Sequence, residues 1–296
     1  MREITVFTHR ETGETASTLA QLAAEAARSG VTLRLDPEET EKHGLSEAPP
    51  GVELNAPVKD DVELCVVLGG DGTILRALQR YAGTTVPVFA INFGAIGFLA
   101  TVERQESRDG IRRALARDFE LLRLPAIVLD VLGGAEHGSP HGGPRRQGPQ
   151  SAINDVAITR KVGERVAEIA YALDDEVVGN VRCDGLVVST PAGSTGYNLA
   201  NGGPVMAWGV EGFLVSFIAP HSLTARALVV APGDRLTIYN RSRSPLDISV
   251  DGRPAGELPA GETIDARFAR EIGTIAQLPQ SSFYRRLREK FGRLAS

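Results

Sequence analysis

In VVLGGDGTILRAL, residues 66–78, an apolar run ends abruptly in three glycines around an aspartate. The run Val62–Leu68 predicts a buried strand, and the residues from Thr73 onward predict a helix that Thr73 itself caps. The glycines permit positive φ angles and a close approach of the backbone to a ligand. Because N–H groups at a helix start favour anions, the stretch predicts a phosphate-binding turn between strand and helix.

Asp71 lies at the centre of this turn, where a carboxylate repels phosphate unless it has another task. Such a carboxylate can hold Mg²⁺ or accept the proton of an attacking hydroxyl. The simpler interpretation is an Asp-Gly turn in which the side chain bonds its own backbone. Neither GxxxxGK[ST] nor GxGxxG occurs at the strand ends, so the P-loop lysine and the Rossmann fingerprint are absent. Three glycines around one carboxylate favour a functional role.

Around this turn, strands alternate with helices as far as residue 124. The segment 15–30 places apolar residues on one helical face and offers Gly30 as a stop. The Pro- and Glu-rich segment 37–61 predicts a loop. Alternating strands and helices imply right-handed βαβ units, so residues 1–124 predict an α/β domain with a parallel sheet.

The pattern changes after residue 124, where short strand candidates follow one another with turn residues between them. Residues 125–278 therefore predict an antiparallel, sandwich-like all-β domain. Residues 279–296 predict a basic amphipathic helix that docks against another part of the protein, with a membrane-surface helix as the alternative. Its apolar face consists of Phe283, Leu287, Phe291 and Leu294.

Composition limits the classes of function. The 296-residue chain has a net charge of −5, which argues against a broad electrostatic contact with nucleic acid or an anionic membrane. Its two cysteines lack metal-ligand spacing and predict core thiols in a reducing compartment. No signal-peptide core and no run of transmembrane length occur. We therefore expect a cytoplasmic protein without nucleic-acid or membrane partners.

Two further segments carry polar residues where a core strand would not. CDGLVVSTPAGSTGYNLANGGP, residues 183–204, runs from a strand into glycines and small hydroxylated residues. A plain loop explains such a composition, but this is a second glycine-rich turn with an aspartate nearby. In AINDVAIT, residues 152–159, Asn154 and Asp155 interrupt the middle of a predicted strand. Polar groups there need partners, which a bound ligand can supply.

These segments together resemble the ordered motifs of the NAD kinase family. GGDGT, INFGAIGFL, AINDVAI and DGLVVSTPAGSTGYNLANGGP match in order, strongly over residues 62–204 and more weakly through FIAPHSLTARALVV and SVDGRPAGELPAGETI. The resemblance implies an N-terminal α/β domain, a C-terminal all-β domain and a ligand between them. It also implies that the C-terminal helix folds back on the N-terminal domain.

The resemblance further implies ATP-dependent phosphorylation of the 2′-hydroxyl of the adenosine ribose of NAD⁺, which gives NADP⁺. ATP or polyphosphate would be the phosphoryl donor, a divalent cation such as Mg²⁺ would accompany it, and the protein would be a homodimer or homotetramer. Such transfer depends mostly on positioning and charge neutralisation.

Carried over motif by motif, the resemblance makes Asp71 the general base. Arg76 would meet a phosphate, Phe98 would pack on the adenine, and Asn154 and Asp155 would bond the adenosine base and the ribose hydroxyls. Gly72 would let the backbone contact the substrate, and the others would line the ribose, the nicotinamide end and the wall of the site. The full set is Asp71, Gly72, Arg76, Phe98, Asn154, Asp155, Arg182, Asp184, Thr195, Gly196, Tyr197, Asn198 and Ala200.

Three positions depart from the family pattern. Asp155 replaces the usual glutamate and shortens the reach by one methylene, Gly196 replaces a common alanine, and Ala192 replaces a common hydroxyl residue. The carboxylate is retained, so we expect altered affinity with activity kept.

Simpler interpretations stand beside these roles. Arg76 fits a helix-surface charge, Arg182 a salt-bridge partner, and Phe98 and Tyr197 core positions. Lipid and sphingoid kinases have a similar GGDGT turn, so a kinase of that kind is the alternative enzyme. A non-catalytic dinucleotide sensor is the other alternative, and the intact Asp71 argues against it.

Overall fold

The computed structural model describes residues 2–94, 97–130, 150–279 and 281–292. The chain divides into two compact units, Met1–Leu124 with Glu271–Ser296, and Pro125–Arg270. The second unit ends at Arg270, whereas the sequence pattern set the end of the second domain at residue 278. One long strand, Thr263–Gln277, runs through this boundary, so the local pattern contains no break at 270.

The first unit is built on a parallel sheet in the strand order β5-β4-β1-β2-β3, with β6 beside β5. The four longer strands β1, β2, β4 and β5 are buried along most of their length, as expected of a parallel sheet covered by helices. The strand bounds are β1 Arg2–Thr8, β2 Val31–Arg34, β3 Val52–Glu53, β4 Leu64–Gly69, β5 Val88–Asn92 and β6 Val102–Glu103.

The described residues of this unit form five α-helices, α1 Ala16–Arg28, α2 Pro37–Lys42, α3 Asp71–Arg80, α4 Ser107–Ala116 and α6 Phe283–Phe291, and two short 3-10 helices, Thr12–Glu14 and Arg104–Glu106. The predicted apolar face of α1 is buried, namely Leu19, Leu22, Ala23 and Ala26. Gly30 follows the helix with a φ of +65°, which supports its predicted role as the stop.

The loop predicted over residues 37–61 is wrong in part, because it contains α2 and β3. Asp36 caps α2 by accepting a hydrogen bond of 2.8 Å from the Glu39 amide, and Pro37 occupies the first helical position. An aspartate followed by proline is a helix-start signal, and it outweighs the high proline and glutamate content of the segment.

The second unit contains two antiparallel strand sets. One has the order β14-β13-β12-β9-β16-β17, and the other joins β11, β10, β15 and β18, with β7 pairing β18 and β8. The bounds are β7 Glu120–Asp130, β8 Gln150–Ala152, β9 Asp155–Arg160, β10 Ala167–Leu173, β11 Glu176–Cys183, β12 Gly185–Ser189, β13 Phe213–Ile218, β14 Leu228–Val230, β15 Arg235–Asn240, β16 Leu246–Val250, β17 Arg253–Leu258 and β18 Thr263–Gln277; the short helix α5 is Tyr197–Ala200.

One apolar core fills the space between these two strand sets. It includes Val156 and Val188 from the first set and Ile169, Ile238 and Ile264 from the second. This is the arrangement of a sandwich. The predicted fold class, a parallel α/β unit followed by an antiparallel β unit, is thereby confirmed.

The C-terminal helix α6 packs on the first unit, as predicted. The Phe291 ring lies 5.5 Å from the Phe98 ring, between centroids, and Phe283 and Leu287 are half-buried. Leu294, the fourth residue of the predicted apolar face, lies outside the described residues. In the described part of the chain, no helix combines the length and hydrophobicity that a membrane crossing requires.

Candidate active site

The glycine turn joins β4 to α3. Two of its glycines allow neighbouring segments to pack closely, and none of its glycines has an unusual backbone angle. None of them uses the positive φ that glycine permits, and Gly70 has a φ of −90°. A Cβ on Gly69 would lie 2.7 Å from the Thr73 side chain, and one on Gly70 would lie 3.2 Å from the Gly94 Cα. Gly72 faces open space. The glycines therefore let neighbouring segments approach the turn closely.

The helix α3 begins differently from the expectation. Its N-cap is Gly70, which makes no side-chain cap, and Thr73 lies in the first turn with its side chain against Gly69. The predicted capping role of Thr73 is therefore wrong. The amides of Thr73 and Ile74 donate to the Gly70 carbonyl at 2.9 and 3.1 Å, so the helical ladder starts with them. The two preceding amides belong to the helix start, where anions bind favourably.

The Asp71 carboxylate is held by the backbone of a distant segment. Its Oδ2 accepts a hydrogen bond from the Phe98 amide at 3.0 Å, and its Oδ1 accepts one from the Leu99 amide at 3.2 Å. Burial raises the pKa of Asp71, and those two amides together with Lys290 and Arg286 oppose the rise. A carboxylate with a raised pKa and a fixed plane is suited to accept a proton.

Arg76 lies one turn after Asp71 but is engaged by carboxylates of α2. Its guanidinium contacts Glu38 at 2.6 Å and Glu39 at 2.7 Å, and it lies over the Phe7 ring at 5.0 Å. The Glu39 side chain is fully buried. The positive charge of Arg76 is thus compensated within the first unit.

In the second unit, the polar pair expected in mid-strand instead lies at a break between two strands. β8 ends at Ala152 and β9 begins at Asp155, so Asn154 belongs to neither. The Asn154 Oδ1 atom is buried and has no hydrogen-bond partner among the described residues. Such an orphan acceptor fits a ligand that brings a donor.

Asp251 organises this break, although it was not among the predicted site residues. Its carboxylate accepts hydrogen bonds from the amides of Ile153, Asn154 and Asp155 at 2.9, 2.7 and 3.1 Å. Its own amide donates to the Asp155 carbonyl at 2.9 Å, and its φ of +47° is that of a tight turn. The Asp-Gly pair in SVDGRP was the available signal. Burial, and then the Asp251 charge, raise the pKa of Asp155 to about 7.

The loop after β12 packs on the same break. The Thr190 hydroxyl donates to the Ile153 carbonyl at 2.6 Å, and a Cβ on Gly193 would lie 2.1 Å from the Asn154 carbonyl oxygen. A Cβ on Gly196 would lie 3.7 Å from the Asp155 Oδ2. The structure thus brings Asn154, Asp155 and Gly196 together.

The other predicted residues of this loop divide between its surface and its interior. Gly196, Tyr197 and Ala200 are exposed, and the Thr195 hydroxyl donates to the Ala192 carbonyl at 3.3 Å. Asn198 is fully buried, and its amide group donates to the carbonyls of Ser194 and Pro204 at 3.0 and 2.9 Å. Asn198 therefore stabilises the loop through hydrogen bonds in its interior.

Arg182 and Asp184 flank the end of β11. The Asp184 carboxylate accepts hydrogen bonds from the Arg160 Nε at 2.6 Å and Nη2 at 3.4 Å, and this pairing lowers the pKa of Asp184. Arg182 is exposed, and its carbonyl accepts from the His221 amide at 2.8 Å. Arg160 is a partner that the sequence reasoning missed, since nothing marks one arginine at a strand end.

Within the described ranges, no group of three or more His, Cys, Asp or Glu side chains is arranged to hold a metal ion.

Two family models match the chain: "ATP-NAD kinase N-terminal domain" over residues 5–119 and "ATP-NAD kinase C-terminal domain" over residues 153–272. A curated NAD kinase of Lachnoclostridium phytofermentans is 35% identical over 79% of this chain and 82% of its own length. One of Bifidobacterium longum subsp. infantis is 33% identical over 98% of this chain and 82% of its own length.

Two solved structures share the fold. The yeast NADH kinase complexed with NADH has a TM-score of 0.86 at 23% identity and covers 100% of this chain and 89% of its own. The NAD kinase of Archaeoglobus fulgidus in complex with ATP has a TM-score of 0.72 at 23% identity and covers 100% and 99%.

Proposed function

The chain belongs to the NAD kinase family, and on this premise we propose that it transfers the γ-phosphoryl group of ATP to the 2′-hydroxyl of the adenosine ribose of NAD⁺. The products are NADP⁺ and ADP. The observation that carries the proposal is the Asp71 carboxylate, fixed at the start of α3 by two backbone amides and raised in pKa by burial.

In the proposed reaction Asp71 accepts the proton of the 2′-hydroxyl. As that proton leaves, the ribose oxygen forms a bond to the γ-phosphorus, and the bond from this phosphorus to the bridging oxygen breaks to release ADP. Each Asp71 oxygen accepts one backbone hydrogen bond, which fixes the carboxylate and leaves lone pairs for the incoming proton. The raised pKa brings its basicity nearer to neutral pH than that of an ordinary aspartate.

The turn around Asp71 supports phosphate binding. The first two amides of α3 come before the hydrogen bonds of the helix begin, so they can donate to a phosphate, and Gly72 leaves the space beside them open. Mg²⁺ would be held chiefly by the nucleotide phosphates, where it supplies charge neutralisation. Arg76 remains a proposed phosphate contact, although it must then share its charge with Glu38 and Glu39.

Asn154 and Asp155 are the proposed contacts to the adenosine. The orphan Oδ1 of Asn154 suits the exocyclic amine of adenine, which is a donor. The Asp155 carboxyl suits the ribose hydroxyls, and the missing Cβ of Gly196 leaves room beside it. Phe98 remains a proposed adenine contact, but its buried ring already packs on Phe291.

The remaining positions are proposed to form the wall of the site at the ribose and nicotinamide end. Exposed members of this set are free to meet a ligand directly, whereas buried Asn198 acts by shaping the loop. The set is Arg182, Asp184, Thr195, Gly196, Tyr197, Asn198 and Ala200.

The cellular setting and the assembly also belong to the proposal. The buried free thiols Cys65 and Cys183 accord with a reducing compartment such as the cytoplasm. An even-numbered homo-oligomer follows from the family resemblance, and light scattering on the purified protein tests it.

The experiment is an assay in which NAD⁺, NADH, diacylglycerol and sphingosine are each combined with ATP or polyphosphate. We expect phosphorylated dinucleotide from NAD⁺ and ATP and no lipid product. Lipid phosphorylation would favour the lipid-kinase alternative, and dinucleotide binding without any turnover would favour the sensor.

A further inference from the structure

The helix α6 contacts the same short segment that holds the Asp71 carboxylate. We infer that Arg286 of α6 is a positioning residue, which fixes the backbone of residues 98–100 so that their amides orient Asp71. This inference rests on the proposed role of Asp71 as the base. It concerns the first unit alone, since α6, the segment and Asp71 all belong to it.

The Arg286 guanidinium is directed at backbone carbonyls. Its Nη1 donates to the Phe98 carbonyl at 2.8 Å and also to the Ala100 carbonyl, and its Nη2 donates to the Ser281 hydroxyl at 3.1 Å. The residue is only 8% exposed. Arginine is rarely buried so deeply, because removing its charge from water is costly unless its donors are used.

The segment connects this guanidinium directly to Asp71. Phe98 receives Arg286 at its carbonyl and donates its amide to the Asp71 Oδ2 at 3.0 Å. Leu99, which donates to the Asp71 Oδ1 at 3.2 Å, lies between the two carbonyls that Arg286 binds. A change in the hydrogen bonds from the Arg286 guanidinium to these carbonyls therefore moves both amides that fix the Asp71 carboxylate.

A second connection runs from α6 to the other side of the glycine turn. Lys290 contacts Glu103 at 2.9 Å, and Glu103 accepts a hydrogen bond from the Asn92 side chain at 2.9 Å. The Asn92 Oδ1 accepts from the Gly94 amide at 2.9 Å, and Gly94 packs closely against Gly70. The helix thus braces both segments that border Asp71.

The positive charges of α6 favour the ionised form of Asp71, as do the two backbone hydrogen bonds that its contacts hold in place. Lys290 and Arg286 lower the pKa of Asp71 against the larger effect of burial, and Glu103 is the acidic group paired with Lys290. Burial lowers the pKa of Arg286 to about 10, which leaves it charged at neutral pH. Loss of this cation is therefore expected to raise the pKa of Asp71.

A purely structural role, in which Arg286 only anchors α6, makes a different prediction. It affects stability but leaves the ionisation of Asp71 and the rate of the chemical step unchanged in molecules that remain folded. The test must therefore measure the ionisation of Asp71 directly.

The experiment compares Arg286→Gln, Arg286→Lys and the exposed control Arg288→Gln in the full chain. The pKa of Asp71 is measured by carboxyl ¹³C NMR without substrate, with Asp71→Asn to assign the signal, and kcat and KM for NAD⁺ are measured against pH. We expect Arg286→Gln to raise the pKa of Asp71, to move the acid limb of the kcat profile to higher pH, and to lower kcat by ~10–100-fold with KM changed less than about threefold.

Arg286→Lys keeps the positive charge but loses the planar guanidinium, which donates hydrogen bonds from two nitrogens. We therefore expect a pKa of Asp71 near that of the wild type and a kcat that is still reduced. Arg288→Gln should match the wild type. If Arg286→Gln does not fold, Lys290→Gln tests the same coupling, because loss of this cation also raises the pKa of Asp71. An unchanged pKa and kcat in folded Arg286→Gln protein would overturn the inference. If no variant phosphorylates NAD⁺, the NMR result still decides the coupling, and the proposed function alone fails.

Discussion

Replacing Asp155 by asparagine is expected to stabilise the folded protein, and more so at pH 8 than at pH 5. The Asp155 residue is 8% exposed, and the Asp251 carboxylate binds the same short backbone segment. Burial and the Asp251 charge raise the pKa of Asp155 from 3.8 to about 7. The folded protein therefore ionises this carboxyl at a cost that asparagine does not incur.

The direction of the pH dependence follows from proton binding in the two states. Because the folded-state pKa is the higher one, the folded protein retains a proton that the unfolded chain has released. This contribution to stability is complete below pH 3.8 and is lost as the pH rises through about 7. At about 1.36 kcal/mol per pKa unit, the whole contribution is about 4 kcal/mol. Roughly 1–2 kcal/mol of it is lost by pH 5, and roughly 2–3 kcal/mol more by pH 8.

Urea unfolding of the wild type, Asp155→Asn and the exposed control Asp247→Asn at both pH values measures this effect. The stability gained by Asp155→Asn relative to the wild type should be greater at pH 8 than at pH 5 by about 3 kcal/mol. The control should show no such pH-dependent difference. An equal effect of Asp155→Asn at the two pH values would contradict this prediction, because Asp155 would then ionise as an ordinary aspartate does.

Two further predictions concern the packing around the proposed site. Gly193→Ala should destabilise the protein by at least ~1–3 kcal/mol, because its Cβ would lie 2.1 Å from the Asn154 carbonyl oxygen; a similar loss in Gly209→Ala, where nothing lies within 4 Å of the added Cβ, would contradict this explanation. Glu39→Gln should cost about 3–5 kcal/mol, because it leaves Lys42 and Arg76, which each contact the buried Glu39 carboxylate at 2.7 Å, next to a neutral group; calorimetry that finds a free energy of unfolding equal to that of the wild type would contradict it.

Much of the fold follows from local patterns. The apolar run of β4 and the face of α1 needed only the spacing of their own residues, and the change from helices to short strands after residue 124 separated the two kinds of sheet. The capped helix α2 was also readable from Asp36 and Pro37, but the high content of proline and glutamate obscured it.

The site is less accessible to sequence reasoning, because its supports come from far along the chain. The motif identified Asp71, yet the amides that hold it are 27 and 28 residues away, and Arg286 binds carbonyls that are 188 and 186 residues away. Asp251 likewise binds amides 96 to 98 residues earlier. A motif identifies the polar residue, but only the folded chain reveals which distant backbone it meets.

The glycines illustrate the same difference between motif and structure. Glycine permits positive φ angles and close packing alike, and in GGDGT Gly69 and Gly70 provide close packing against Thr73 and Gly94. Local sequence cannot distinguish these two uses of glycine, because the neighbours that exclude a Cβ are known only after folding.

The most direct test of the central claim is the turnover number of Asp71→Asn with NAD⁺ and ATP, measured together with its affinity for NAD⁺. Asparagine keeps the size of the side chain but cannot accept the hydroxyl proton, so kcat should fall by ~10²–10⁴-fold while the affinity for NAD⁺ stays within a few-fold of the wild type. The exposed variant Asp60→Asn should retain full activity. An Asp71→Asn protein with the kcat of the wild type would contradict the account.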